Sequence, residues 1–120
     1  MPELSTHSYD QLFMLFVEIV DFSKFEEIVP RHIAWLTRRF EDGSFVVTGG
    51  LFEEEGVKSN RALAILRAPS LQAAEEIISD DPFLVEGVCK FTFRHFVPRM
   101  HAEAFGRVFS GENSTSVARQ

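Results

Sequence analysis

The sequence predicts one domain of the α+β class, in which a four-stranded antiparallel sheet carries two helices on one face. The predicted elements follow the order β-α-β-β-α-β, which is two β-α-β halves joined by a hairpin and is typical of a ferredoxin-like fold. Residues 88–97 place Cys89, Phe91, Phe93 and His95 on one face, and this period of two predicts a strand. The length of 120 residues suits about one domain.

The first strand is expected over residues 12–20, which are almost wholly apolar, aromatic and partly β-branched. Such a run is typical of a central strand that is covered on both faces. Two helices on one side of a sheet cover only one face. The other face therefore has to be buried by something else, most simply by the sheet of a second subunit. A first strand that is apolar on both faces, in a sheet with helices on only one face, therefore predicts a homodimer.

The first helical region is expected in two pieces. Ser23 and Glu26 have the spacing of a capping box, in which each side chain bonds an end amide of the other residue. Pro30 suits the first turn of a helix but not its interior. We therefore expect a turn of helix over residues 24–28 and a longer helix over residues 30–41.

The middle of the chain predicts a hairpin. Residues 44–48 and 61–68 are expected to be strands, with residues 51–60 as an acidic, solvated loop between them. Such a loop would deter anionic substrates if it lay at the rim of a pocket. Gly49 and Gly50 favour a turn that needs positive φ.

The second half of the chain predicts a helix over residues 71–79 with Ser70 as its cap, a short turn over residues 84–87, and the strand already described. A short helix is expected over residues 100–109. The domain is thus expected over residues 12–98, with a flexible arm over residues 1–11 before it and a partly disordered extension over residues 99–120 after it.

Composition excludes several classes of protein. A single cysteine, Cys89, cannot form an intramolecular disulfide or a cysteine-rich zinc site. Twelve basic and 18 acidic residues give a formal net charge of −6, which argues against nucleic-acid binding. The apolar run over residues 12–17 is too short to span a membrane, and residues 1–11 carry no secretory signal, so the cytoplasm is the expected location.

The four histidines differ in their predicted surroundings. His7 lies in the expected arm and His101 in the extension, so neither is expected to take part in chemistry. His95 shares the phenylalanine face of the last strand and suits packing. His32 lies in the first turn of the longer helix, at the edge of its apolar stripe, and there a structural and a functional role both remain open. No histidine pair has convincing metal spacing, so we expect no metal site.

Asp80, Asp81 and Pro82 follow the second helix. Carboxylates at a helix C-terminus are unfavourable without a cation or a hydrogen-bond donor nearby. In a ferredoxin-like fold the two helices lie side by side and antiparallel, so the start of the first is near the end of the second. His32 and Asp81 could therefore meet as an acid/base pair. The restriction before Pro82 favours Asp81 over Asp80 as the partner.

Several segments resemble the YCII-related (YciI-like) family. In the first half, the resemblance is carried by Pro30-Arg31-His32, Asp42-Gly43 and Thr48-Gly49-Gly50. In the second half, it is carried by Ser70, Ala73-Ala74, Asp81-Pro82-Phe83 and Gly87-Val88. The most specific elements are the histidine early in the helix and the Asp-Pro-aromatic element after the second helix.

The resemblance implies a dimeric α+β barrel, in which two ferredoxin-like sheets pack face to face. It also implies that His32 and Asp81 are the catalytic pair. Relatives in the superfamily include an enzyme that removes chloride from a chlorinated hydroxyquinol and the muconolactone isomerases. We therefore expect cofactor-independent proton transfer, of the lyase or isomerase type, on a small cyclic or aromatic compound. By position, Phe16 and Phe83 are expected to line the substrate pocket.

Two other functions stay open at this point. The chain could be a non-catalytic, dimeric domain that binds a small molecule. It could instead be a haem- or oxygen-using monooxygenase of the same superfamily, for which His95 or His32 would be the available axial ligand.

Overall fold

The sheet and both predicted helices are present in a computed structural model, which describes residues 11–54 and 57–110. In chain order the elements are β1 (Gln11–Ile19), α1 (Phe25–Glu41), β2 (Phe45–Glu54), β3 (Val57–Ala68), α2 (Leu71–Ile78), α3 (Pro82–Val85), β4 (Cys89–Phe96) and α4 (Glu103–Ser110). The strands are antiparallel in the order β2-β3-β1-β4. The chain therefore has the predicted ferredoxin-like fold.

The first strand lies in the middle of the sheet, as its apolar run predicts. It pairs with β3 on one side and with β4 on the other, so that Phe13 has Leu66 and His95 as its cross-strand partners. Side chains alternate between the two faces of a strand. Phe13 and Leu15 of β1 are buried in the main core, which identifies their face as the one that the helices cover.

Two clusters of buried side chains hold the helices to this face. The main cluster joins the sheet to α1 and α2 through Trp35, Ala74 and Ile78. The second cluster contains Ile28 of α1 and Phe83 of α3, together with Val88 and Cys89. Because α1 contributes to both clusters, its position relative to the sheet is fixed at two places along its length.

The other face of the sheet is apolar and uncovered over much of its area. Phe16 of β1 is 38% exposed, and Val47 and Leu51 of β2 are 49% and 37% exposed. The end of this face is occupied by Arg67, whose two terminal nitrogens donate to the Val108 carbonyl of α4, each at 3.2 Å. Leu12, the cross-strand partner of Arg67, is buried.

The first helix differs from the prediction, because it runs without a break from Phe25 through Pro30 to Glu41. Proline removes one backbone bond, but Ile28 is almost fully buried and holds the turn before it against the second cluster. The predicted capping box is also wrong. Asp21 takes the capping role instead and accepts from the Ser23 amide at 2.9 Å, at the start of a 3-10 turn over Phe22–Lys24.

The hairpin is longer than the sequence predicts, because strand pairing continues into residues 51–60, for which the sequence predicts a loop. Phe52 pairs with Lys58 and Glu54 with Val57, beyond the end of β1. The pairing of β2 with β3 shifts in register at three points along the hairpin. Gly49 lies inside β2 and neither it nor Gly50 has positive φ, so the predicted turn is wrong.

Other predictions are confirmed. The Ser70 hydroxyl accepts from the Ala73 amide at 3.1 Å and caps α2, and a short helix follows the last strand. Within the described part of the chain, no helix is long and apolar enough to cross a membrane. Residues 1–10 of the predicted arm and residues 111–120 of the predicted disordered tail lie outside the described residues.

Candidate functional site

The structure brings His32 and Asp81 together. The Nδ1 atom of His32 lies 2.8 Å from Oδ1 of Asp81, although the two residues are 49 positions apart. His32 is in α1, and Asp81 comes directly after α2 and caps α3. The antiparallel packing of two helices on one sheet face thus creates the contact that the sequence predicts.

The Asp81 carboxylate is buried and accepts a hydrogen bond from a backbone amide two residues further along the chain. Only 2% of Asp81 is exposed. Its Oδ1 also accepts from the Phe83 amide at 3.0 Å, which caps α3. An ionised carboxylate can only accept hydrogen bonds, so with Asp81 ionised the donor would be Nδ1 of His32, and Nε2 would be the nitrogen of the neutral ring that accepts a proton.

Aromatic rings fix the plane of the imidazole. The Phe83 ring stacks on His32 with centroids 4.1 Å apart and planes 19° apart, and Phe25 stacks on Phe83 at 5.2 Å. Trp35 lies at 6.1 Å from His32, with planes 23° apart. Phe83, which the sequence places in the pocket, therefore lies against the histidine.

Phe16, the other predicted pocket residue, is not brought to this pair. It lies on β1 between Leu15 and Val17, which face the helices, and its own ring is on the uncovered face of the sheet. The pair lies on the helix side. Within one subunit Phe16 and His32 are thus on opposite sides of the sheet.

A second hydrogen bond lies beside the pair and is not among the predicted contacts. The Trp35 indole Nε1 donates to Oδ1 of Asp80 at 2.8 Å. The signal for it is present in the sequence, because Trp35 follows His32 by three positions and Asp80 directly precedes Asp81. Each aspartate thus has its own ring partner on α1, and it is Asp81 that pairs with the histidine, as Pro82 favours.

Two exposed cations lie near the pair. Arg31, which precedes His32, and Lys24 each lie 3.9 Å from the Glu86 carboxylate, just after α3. Pairs of this length and exposure contribute little to stability. They place positive side chains on the solvent side of α1 and α3.

The thiol of Cys89 is also close to Asp81. Burial raises the pKa of Cys89 to about 12, and the negative charge of Asp81 adds to the effect. The thiol therefore stays protonated at neutral pH and is a poor nucleophile.

The other histidines lie elsewhere. His95 stacks on Phe13 at 5.1 Å on the sheet, His101 bonds the neighbouring Ala102 backbone, and His7 is outside the described residues. Across residues 11–54 and 57–110, no three His, Cys, Asp or Glu side chains come together in a way that could hold a metal ion.

Solved structures of similar fold include two enzymes. One is the 5-chloro-2-hydroxyhydroquinone dehydrochlorinase of Burkholderia phenoliruptrix AC1100 in complex with 2,5-dihydroxybenzoquinone. It is 15% identical, with 78% of this chain and 97% of that chain covered and a TM-score of 0.56. The other is SnoaB, a cofactor-independent oxygenase of Streptomyces nogalater. It is 17% identical, with 79% and 98% covered and a TM-score of 0.46. At these identities the likeness concerns the fold alone.

A family model gives a more specific result. No curated protein sequence matches the chain significantly. The model of the YCII-related domain, however, matches residues 8–96. This range includes the whole sheet, both long helices of the helix layer, and the turn with the two aspartates. The protein therefore belongs to the YCII-related family.

Proposed function

We propose that this protein catalyses cofactor-independent proton transfer, of the lyase or isomerase type, on a small cyclic or aromatic compound. The observation that carries the proposal is the 2.8 Å contact between Nδ1 of His32 and the buried Oδ1 of Asp81. In this proposal His32 is the acid/base group and Asp81 orients it.

The carboxylate would do two things for the histidine. By accepting from Nδ1 it fixes the tautomer, so that Nε2 carries the lone pair. A buried negative charge next to the ring also stabilises the imidazolium that forms when Nε2 takes a proton. Positioned acid/base groups of this kind contribute about 10²- to 10⁴-fold to a rate.

The chemistry balances without an oxidant. Nε2 accepts a proton from an activated C–H or O–H group of the substrate, and the electron pair left behind moves into the ring system. In an isomerisation, the imidazolium returns the proton to another carbon. In an elimination, a halide leaves with the electron pair of its bond to carbon, and the proton passes to solvent.

The family and the fold support this reaction class. The dehydrochlorinase with the same fold acts, by its name, on a chlorinated hydroxyhydroquinone, which is a compound of the proposed type.

The test is a panel of unsaturated lactones and halogenated hydroquinols incubated with the protein in D₂O. Proton NMR reports exchange or isomerisation, and a chloride electrode reports elimination. We expect turnover of at least one compound class, a loss of about 10²-fold or more in His32→Gln, and a smaller loss in Asp81→Asn. His95→Gln, which changes an exposed histidine of β4, is the matched control and should keep the wild-type rate.

Two outcomes would reject the proposal. One is a rate in His32→Gln equal to that of the wild type, with circular dichroism showing that the variant is folded. The other is binding of the panel compounds by the wild-type protein with no turnover of any of them. The second outcome would favour the alternative function, a dimeric domain that binds a small molecule without changing it.

A homodimer is part of the same proposal, and its support is the uncovered apolar face of Phe16, Val47 and Leu51. Patches of exposed apolar side chains on a sheet favour association. The proposed partners are a second copy of the chain and a small-molecule substrate. The cytoplasm remains the location that the sequence predicts.

A further inference from the structure

Two consecutive aspartates each bond a different ring of the same helix. Asp81 accepts from His32, and Asp80 accepts from Trp35, with both contacts at 2.8 Å. His32 and Trp35 are three positions apart, so they lie on one face of α1. The turn that follows α2 is therefore attached to α1 at two neighbouring points rather than one.

The second attachment point is rigid on the side of the helix. Trp35 is 2% exposed and belongs to the main core cluster. The ring of Phe45 meets it edge to face at 5.5 Å, and the Arg39 guanidinium lies 5.7 Å from its centroid. Asp80, in contrast, is exposed. The indole N–H thus connects a side chain fixed by the core to a carboxylate that has little else to hold it.

The turn itself is held by its backbone, since the Asp81 amide donates to the Ile78 carbonyl at 3.0 Å, and by Phe83 in the second cluster. The bond from Trp35 to Asp80 adds a side-chain contact that fixes how this turn lies against α1 beside the His32–Asp81 bond. The neighbouring rings also restrict the orientation of the His32 imidazole, which is nearly parallel to both Phe83 and Trp35. The direction of Nε2 then depends on all of these contacts together.

We propose that Trp35 and Asp80 are positioning residues for the His32–Asp81 pair, and that their hydrogen bond keeps Asp81 in line with Nδ1. Their importance for a reaction rests on the proposed function. Their effect on the geometry of the pair does not, and can be measured without substrate.

The experiment is ¹⁵N NMR of the imidazole nitrogens of His32, which reports the ratio of the Nδ1-protonated to the Nε2-protonated neutral ring. The wild type is expected to hold the Nδ1-protonated form. Trp35→Phe keeps an aromatic ring but loses the donor, and Asp80→Ala loses the acceptor. Each should lower the ratio about fivefold, the effect of roughly one hydrogen bond.

Two further variants separate the hydrogen bond from the charge. Asp80→Asn removes the charge but keeps an amide oxygen that can accept from the indole, so it should retain the wild-type ratio within about twofold. Glu76→Ala removes an exposed carboxylate of α2 that has no ring partner among the described contacts. It should leave the ratio unchanged.

An unchanged ratio in both Trp35→Phe and Asp80→Ala would overturn the positioning role of Trp35 and Asp80. It would leave the His32–Asp81 pair and the proposed function unaffected. If Trp35→Phe fails to fold, Asp80→Ala decides the matter, because it changes an exposed side chain. A ratio in Asp80→Asn as low as that in Asp80→Ala would also overturn the proposal, since the charge and not the bond would then be responsible. A wild-type His32 protonated at Nε2 would overturn the His32–Asp81 pair itself, and with it the proposed function.

Discussion

A single oxygen atom connects the candidate chemistry to the local fold. Oδ1 of Asp81 accepts from the imidazole of His32 and from the amide of Phe83. The first contact would orient the proposed base, and the second begins α3. The residue that orients the proposed base is therefore also a helix cap.

Replacing Asp81 should accordingly reduce stability as well as activity. Asp81→Ala removes both bonds at a buried position and should lower the free energy of unfolding by about 2–3 kcal/mol. Asp81→Asn keeps an oxygen that can accept from both donors, so we expect a loss of about 1 kcal/mol or less. Urea denaturation of the two variants measures the difference. Equal losses in the two variants would contradict this expectation, because the amide oxygen in Asp81→Asn would then not replace the carboxylate as an acceptor.

Cys89 should make stability depend on pH in the alkaline range. Burial raises the pKa of the Cys89 thiol from its usual value of 9.0 to about 12 in the folded chain, so the unfolded chain releases the proton first. The contribution of the thiol is fully present below pH 9 and is lost as the pH rises from 9 towards 12. The slope is at most about 1.4 kcal/mol per pH unit.

Urea unfolding between pH 8 and pH 10.5 tests this, with Cys89→Ala as the comparison. The variant should show the shallower decline, because only the other titrating groups remain. Parallel curves for the two proteins would contradict the expected effect of burial.

At the scale of single residues, the sequence predicts the pair but not its surroundings. His32 and Asp81 are predictable because helix topology and the unfavourable charge at the end of α2 both point to them. The bond from Trp35 to Asp80 is signalled only by the spacing of Trp35 from His32 and of Asp80 from Asp81, and this spacing does not say which ring each carboxylate binds. The position of Phe16 in the first strand predicts a place in the pocket, but it does not say which face of that strand is directed towards the helices.

At the scale of elements, glycine has a demanding role at one position and a mild one at another. Gly43 follows α1 with φ of 85°, in the left-handed region that lets a helix end. Gly49 lies in β2 without positive φ, and a Cβ there would meet nothing within 4 Å. The two residues therefore form a matched pair for substitution.

Gly43→Ala should lower the free energy of unfolding by about 1–2 kcal/mol, because alanine is strained in that conformation. Gly49→Ala should be neutral or slightly stabilising, since it restricts the unfolded chain at no steric cost. Thermal denaturation of the two variants distinguishes these effects. A larger loss of stability in Gly49→Ala than in Gly43→Ala would contradict this and would indicate the positive φ at Gly49 that the sequence predicts.

The errors at this scale have two physical origins: long-range contacts override local preference at Pro30 and in the hairpin, and a competing local cap replaces the predicted one at Ser23. Pro30 is a helix breaker by local rules, but the buried Ile28 keeps its helix intact. Ser23 and Glu26 match a capping pattern, but it is the Asp21 carboxylate that accepts from the Ser23 amide and forms the cap. The acidic run of the hairpin looks like a loop, and cross-strand pairing extends the strands into it.

At the scale of the whole molecule, the uncovered face of the sheet leads to a test of the dimer. Phe16→Glu places a charge in the middle of this face and should convert the proposed dimer to a monomer, as measured by analytical ultracentrifugation. Ile33→Glu is the control: Ile33 is 52% exposed, but it lies on α1 in the helix layer. It should leave the mass unchanged. A monomeric wild-type protein, or dimers in both variants, would contradict dimerisation through this face.

The register shifts between β2 and β3 have a further consequence for how copies of this chain can associate. β2 is an edge strand, and at two of the shifts, between Phe45 and Val47 and between Phe52 and Glu54, it carries an extra residue that interrupts the row of backbone donors and acceptors that a further strand would need. The opposite edge, β4, exposes Lys90 and Arg94, and such charges discourage the addition of a strand in another way. Head-to-tail polymerisation, in which sheets grow by one strand after another, is thus disfavoured at both ends.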